Sequence, residues 1–284
     1  MNKNNLNFAF WGTPEVASET LQILKQKGFL PSVIITSPDS KQGRGMKTES
    51  TPVSKFAEEN NIPCLKPENL DSDFAEKINK NKYDIFVVIA YGKIIPENIL
   101  NLPKFGSINI HYSLLPKYRG ASPIESAILN GEIETGITIQ KMVYKMDAGD
   151  IVAQEKTNIE KEETASVLRK RLIKMGGELL VKILPDILEN KTKTVPQDEK
   201  KTSYCKKIKK EDGLVDIEKE NGVFLYNKFR AYARWPRTFF FKNSKRIIIT
   251  EATLENEKFI IKKVLPEGKK EIKYEDFLKT STSK

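Results

Sequence analysis

Along the first 190 residues, short apolar runs alternate with stretches of helical periodicity. Phe8-Ala9-Phe10-Trp11 is apolar throughout and stops at Gly12, the pattern of a buried strand. Thr13 as N-cap, Pro14 at the first helical position and Gly28 as a stop frame a helix that turns Val16, Leu21 and Leu24 inward. A second strand over 33–36 follows directly, and this strand-helix-strand succession predicts a parallel sheet covered by helices. Helices over 53–60 and 71–81 flank a short strand near 62–65, and the nearly unbroken apolar run 84–90 is the candidate central strand. Strands are expected over 107–111, 136–143 and 151–155. Between the first two lies a helix over 122–131, with Glu125 placed to form a capping box. A long helix over 164–190, weakened at Gly176-Gly177 and Pro185, closes this part.

Beyond residue 190 the pattern changes. The stretch 191–203 is polar, contains Pro196 and reads as a linker. After it come a helix-like segment over 222–235 and short β-type runs over 238–241, 246–250, 259–264 and 271–274, as in a small barrel. The expected architecture is therefore α/β. A Rossmann-like domain with a mostly parallel sheet occupies 1–190, and a small C-terminal β-barrel of OB-like type occupies 204–284. One segment fits neither pattern. Residues 36–52 are rich in turn formers and lack apolar periodicity, and a loop of that length in a compact domain usually has a function or is disordered.

Composition narrows the class. With 39% hydrophobic and 30% charged residues, the chain reads as globular, neither disordered nor membrane-embedded. The apolar start is too short for a secretory signal and no run approaches a membrane span, so a cytoplasmic location is expected. Cys64 and Cys205 have no metal-ligand spacing. The net charge of +10 is uneven: 1–190 holds 24 Lys/Arg against 24 Asp/Glu, 191–203 holds 4 against 2, and 204–284 holds 20 against 12. A neutral part joined to a basic one is the footprint of chemistry in one place and a polyanion in the other. A lysine-rich proteome with a well-solvated surface would leave the same imbalance, and composition does not choose between them.

The chain has one histidine, His111. Side chains alternate along a strand, so Asn109 and His111 share a face while Ile108 and Ile110 take the other. His111 falls at the carboxyl end of its strand, where open α/β sheets form ligand crevices. A strand-capping structural histidine is the plainer reading, but the Asn-x-His pair followed by Ser113-Leu114-Leu115-Pro116 favours a site. No G-x-G-x-x-G stands at the first turn, so a dinucleotide is not supported.

Asn109-x-His111-x-Ser113-Leu114-Leu115-Pro116-x-x-Arg119-Gly120, followed by Asp147-Ala148-Gly149-Asp150, resembles the folate-dependent formyltransferases, most closely those acting on methionyl-tRNA. The resemblance covers nearly the whole chain and includes Phe229-Arg230-Ala231 and Trp235-Pro236, although Arg234 stands where a proline is usual. It implies transfer of a formyl group from 10-formyltetrahydrofolate to the methionine amine of initiator methionyl-tRNA, with Asn109, His111 and Asp147 catalytic and no metal. Asn109 and His111 would donate to the developing oxyanion. Asp147 would fix the imidazole tautomer and help remove the amine's proton.

By the same resemblance, Ser113, Leu114, Leu115 and Pro116 contact the folate, the loop setting backbone groups against it, and Tyr91 and Gly92 help wall the pterin pocket. Lys41, Arg44 and Lys47 in the 36–52 segment read equally as a generic surface loop, but the resemblance implies a grip on the tRNA acceptor end, with Arg44 matching the family's arginine. Lys206 and Lys207 of the basic part are also expected to meet the tRNA, and the protein to be a monomer. A formyltetrahydrofolate hydrolase or a sugar-nucleotide formyltransferase would share Asn109, His111 and Asp147, but the basic second part argues against both. A nucleic-acid-binding protein with a vestigial catalytic domain would keep the basic part and need none of these three residues.

Overall fold

A computed structural model of the chain describes residues 6–42 and 47–282, without the side chains of 41, 42, 47 and 280–282. Strands β1 (Phe8–Gly12) and β2 (Val33–Ile35) enclose helix α1 (Glu15–Gln26). A hairpin follows, β3 (Ser40–Gln42) and β4 (Lys47–Glu49), then α2 (Pro52–Glu59), β5 (Cys64–Leu65), α3 (Ser72–Asn79) and β6 (Ile85–Ile89). Next come α4 (Glu97–Leu100), β7 (Ser107–His111), β8 (Arg119–Gly120), α5 (Pro123–Leu129), β9 (Glu134–Lys141), β10 (Ile151–Asn158) and α6 (Ala165–Leu188). The last stretch holds β11 (Tyr204–Cys205), α7 (Gly222–Ala231), β12 (Phe239–Lys242), β13 (Lys245–Glu255), β14 (Lys258–Pro266), β15 (Ile272–Lys273) and α8 (Tyr274–Thr282). Two compact units result, one of residues 1–119, 136–156 and 171–203, the other of 120–135, 157–170 and 204–284.

The first unit is built on a seven-stranded sheet in the order β10-β9-β7-β6-β1-β2-β5. The pairs β5/β2, β2/β1, β1/β6 and β6/β7 are parallel, and β9 runs antiparallel to β7. Every residue of β1 and of β6 is buried, which is why both read as unbroken apolar runs. From β1 the chain winds outward to β2 and β5, then crosses back to β6 on the other flank. That reversal opens a crevice at the carboxyl ends of the strands. Trp11 anchors the aromatic core there, with ring centroids 5.3 Å from Phe86 and 5.2 Å from Tyr91.

Several local expectations change. Thr13 does not cap α1: Pro14 holds the N-cap position without a side-chain bond, and the Thr13 hydroxyl donates to the Tyr91 carbonyl instead. The 36–52 segment contains the β3/β4 hairpin, with Ser40 opposite Glu49. Helix α6 runs through Gly176-Gly177 and Pro185 without breaking. Its glycines serve packing, since a Cβ at Gly176 would lie 3.0 Å from the Ile110 side chain and one at Gly177 2.9 Å from Ile23. Residues 191–203, read as a linker, belong to the first unit, where Val195 bridges Ile151.

The second unit contains a four-stranded antiparallel sheet in the order β12-β13-β14-β15, formed from the short strands read as an OB-like barrel. Its core gathers Leu225, Phe240, Ile247, Ile249, Val264 and Phe277. The second unit also takes in α5, whose Glu125 forms no capping box because its carboxylate pairs with Arg169. Arg230, from the Phe229-Arg230-Ala231 motif, is buried and donates to the Glu163 carbonyl at 3.1 Å and to Asn227 Oδ1 at 2.7 Å. Among the described residues, no helix is long and apolar enough to cross a membrane.

Candidate active site

Strand β7 delivers Asn109 and His111 to the crevice, with Asn109 in register with Val88 of β6. The Asn109 amide nitrogen donates to the Val88 carbonyl at 2.9 Å, which fixes the amide plane and commits one of its two hydrogens. His111 is 6% exposed, and its Nε2 lies 2.8 Å from the Tyr118 carbonyl. A carbonyl only accepts, so Nε2 carries the hydrogen and the neutral ring keeps its lone pair on Nδ1. That nitrogen faces Asp147, with Oδ2 at 3.6 Å, beyond direct hydrogen-bond reach but close enough for charge to matter. Tyr118, not Asp147, therefore sets the tautomer, and with its one N–H spent on that carbonyl the neutral ring has none left for the oxyanion that His111 was expected to stabilise. The difference from expectation comes from the 112–118 loop folding back over the ring.

Two of these residues occupy unusual backbone. Asp147 has φ +50° and Tyr118 φ +60°, both in the left-handed region that residues other than glycine seldom adopt. Such conformations persist where the surroundings hold them. Behind Asp147, Gly149 sits so close to β9 that a Cβ there would lie 1.8 Å from the Lys141 carbonyl oxygen. Gln140, buried on β9, donates to Asp147 Oδ1 at 3.0 Å and lies 3.5 Å from Asn109 Oδ1.

The loop after β7 is tied down from within. The Ser113 hydroxyl donates to the Lys117 carbonyl at 2.6 Å, and Lys117 N–H donates to the Leu114 carbonyl at 3.1 Å. The Thr138 hydroxyl donates to the Ser113 carbonyl at 2.6 Å and accepts from Leu115 N–H at 3.0 Å; Gln154 donates to the Leu115 carbonyl at 2.8 Å. These backbone groups, expected to face a ligand, are instead engaged inside the protein. Leu115 is buried, while Leu114 and Pro116 are partly exposed, and the Leu115–Pro116 peptide is cis. Tyr91 is 2% exposed beside Trp11, and burial pushes its hydroxyl up to about 12. Gly92 next to it is exposed, with φ +85°, a conformation that suits glycine.

The cationic candidates divide. Lys41 and Lys47 lie in β3 and β4, where only their backbones are described, and Arg44 lies outside the described residues. Lys206 and Lys207 are exposed in the second unit, and Lys207 lines a groove of about 230 Å³ with Arg169, Arg234 and Trp235. Three residues that shape the site were not singled out in the sequence: Tyr118, Thr138 and Gln140. Thr138 and Gln140 do share one face of the 136–143 alternation, so the strand could have been read as having a buried polar side.

Residues 5–184 match the model of the formyl transferase family, and residues 207–260 match that of its C-terminal domain. The chain belongs to the formyl transferase family. Relatives within that family include a methionyl-tRNA formyltransferase of Thermotoga neapolitana, 42% identical over 85% of this chain and 77% of its own length. Another, from Staphylococcus epidermidis, is 35% identical over 95% of this chain and 94% of its own. Among solved formyl transferases, the methionyl-tRNA formyltransferase of Clostridium thermocellum superposes with a TM-score of 0.61 at 16% identity, covering 94% of this chain and 99% of its own. An N-formyltransferase of Helicobacter canadensis, solved with folinic acid and dTDP-3-aminofucose, gives 0.68 at 23% identity over 89% of both chains. At these identities, the two structures establish the shared fold.

Proposed function

We propose that this formyl transferase moves the formyl group of 10-formyltetrahydrofolate onto the methionine amine of initiator methionyl-tRNA, giving N-formylmethionyl-tRNA for translation initiation. The observation that carries the reading is the convergence of Asn109, His111 and Asp147 at the carboxyl end of β7. It is supported by relatives named methionyl-tRNA formyltransferase over most of the chain.

The amine nitrogen attacks the formyl carbon, and the carbonyl oxygen takes up negative charge. The second hydrogen of the Asn109 amide stabilises that oxyanion, a contribution of about 3 kcal/mol for such a donor in other enzymes. The attacking nitrogen must shed a proton, and the Nδ1 lone pair of His111 is placed to collect it. The resulting imidazolium has an acceptor at each nitrogen, the Tyr118 carbonyl and the Asp147 carboxylate. As the tetrahedral intermediate collapses, the bond from carbon to N10 breaks, N10 takes up the proton held on His111, and tetrahydrofolate leaves with the ring neutral again.

The folate lies against Gly92 and the Ser113–Pro116 turn, with Leu114 and Pro116 supplying apolar contact and the buried Tyr91 backing the pocket wall. Lys41, Arg44 and Lys47 hold the acceptor end of the tRNA, and Lys206 and Lys207 add phosphate contacts from the basic C-terminal part.

One assay with three arms tests the reading: purified protein and 10-formyltetrahydrofolate, supplied with initiator methionyl-tRNA, with a dTDP-amino sugar, or with no acceptor. Formylated methionine in the first arm alone is expected. Formylated sugar, or release of formate equally in all three arms, contradicts it.

A further inference from the structure

We infer that Gln197 is a positioning residue for this reaction, suspending the loop that carries Asp147 from the buried guanidinium of Arg119. The inference rests on the reading of Asp147 given above. Arg119 belongs to the sequence motif, yet it lines no part of the crevice described so far. It is 0% exposed, and burying a guanidinium is costly unless its donors are met. Its Nε and one terminal nitrogen both donate to Gln197 Oε1, at 3.0 and 2.7 Å. Its terminal nitrogens also reach the Glu199 carboxylate at 2.8 and 3.3 Å, and that contact, followed by Lys145, holds the Glu199 carboxyl below its usual range.

With the Gln197 oxygen committed to Arg119, its amide nitrogen must point the other way. A flipped amide would set two hydrogens against guanidinium donors and its oxygen against carbonyls, so the polarity is unambiguous. The nitrogen donates to the Asp147 carbonyl at 2.8 Å and to the Gly149 carbonyl at 2.7 Å. It also lies 3.3 Å from Gln140 Oε1, and Gln140 in turn holds the Asp147 carboxylate. Backbone and side chain of Asp147 are thus pinned by one connected set of amides, at a residue whose φ of +50° requires support. The chain from Arg119 ends where the distance from Asp147 to His111 Nδ1 is decided.

Gln197→Glu isolates this role, because it is isosteric and keeps the acceptor for Arg119 while replacing the donor that faces the two carbonyls. In the full-length protein, single-turnover formylation of initiator methionyl-tRNA should slow by about 10- to 100-fold, the scale of an ångström-level misplacement. The KM values for folate and tRNA should stay within about threefold, as expected when a transition-state interaction alone is lost. Introduced into Asp147→Asn protein, the same substitution should slow the reaction by less than about threefold, since residues acting as a unit are not additive.

An unchanged rate for Gln197→Glu, or the same loss in both backgrounds, overturns the inference and leaves Gln197 a structural residue. Asp147→Asn protein with wild-type turnover would instead remove the role of Asp147 itself. Should Gln197→Glu fail to fold, Gln197→Asn, one carbon too short to span Arg119 and both carbonyls, is read against the same outcomes.

Discussion

His111 shows how a single side chain acquires a defined chemistry. Its Nε2 is spent on the Tyr118 carbonyl, so the proton it can accept must arrive at Nδ1, on the side where Asp147 waits. Tyr91 illustrates a different consequence of burial. Its hydroxyl has no hydrogen-bond partner among the described residues, and burial pushes it up to about 12 from an ordinary value of 10.0. Tyr232 moves the same way, also to about 12, first through burial and then through Asp212 and Glu125. For both, the folded value lies above the unfolded one. Their contribution to stability is therefore complete below about pH 10 and is lost as pH rises through about 12. Denaturation midpoints should be flat from about pH 7 to 8, begin to fall near pH 9, where the Cys64 thiol that burial also pushes up starts to contribute, and fall further above about pH 10. Tyr91→Phe, which removes only an unpartnered hydroxyl, should cost less than about 1 kcal/mol at neutral pH and flatten part of that fall. A midpoint insensitive to alkali, or an undiminished slope in Tyr91→Phe, would contradict the burial argument.

At the scale of elements, the strands that build the site were readable because a buried parallel sheet demands apolar runs, as in β1 and β6, and β7 shows its polar face by alternation. Helix ends were less legible. Thr13 and Glu125 have the chemistry of caps, but the Tyr91 carbonyl and Arg169 compete for them, and both partners lie far along the chain. Gln197 was invisible for the same reason: it sits in a polar stretch, and its partners Arg119 and Asp147 are 78 and 50 positions away. The turn before β10 depends on Gly149, where a side chain would meet the Lys141 carbonyl oxygen at 1.8 Å. Gly149→Ala should therefore displace the Asp147 loop and lower turnover by roughly tenfold or more, with a lower melting temperature. Normal turnover in that variant would show that the close approach does not constrain the site.

For the whole molecule, the excess charge and the residues proposed as catalytic occupy different stretches of sequence: residues 204–284 hold 20 Lys/Arg against 12 Asp/Glu, while the first 190 are balanced. If the basic stretch meets phosphates, the KM for tRNA should rise by about 10- to 1,000-fold between 50 and 200 mM salt, with a far smaller change for folate. Parallel salt dependence for both substrates would argue that the charge serves only solubility. In the proposed reaction, Asp147 is the point on which site and network converge. The most direct measurement is the single-turnover rate of formyl transfer to initiator methionyl-tRNA by Asp147→Asn protein beside the unmodified chain, both folded to the same melting temperature. The account predicts a loss of about 100-fold or more, as for removal of a general acid-base partner. A rate within about threefold of the unmodified chain would contradict it.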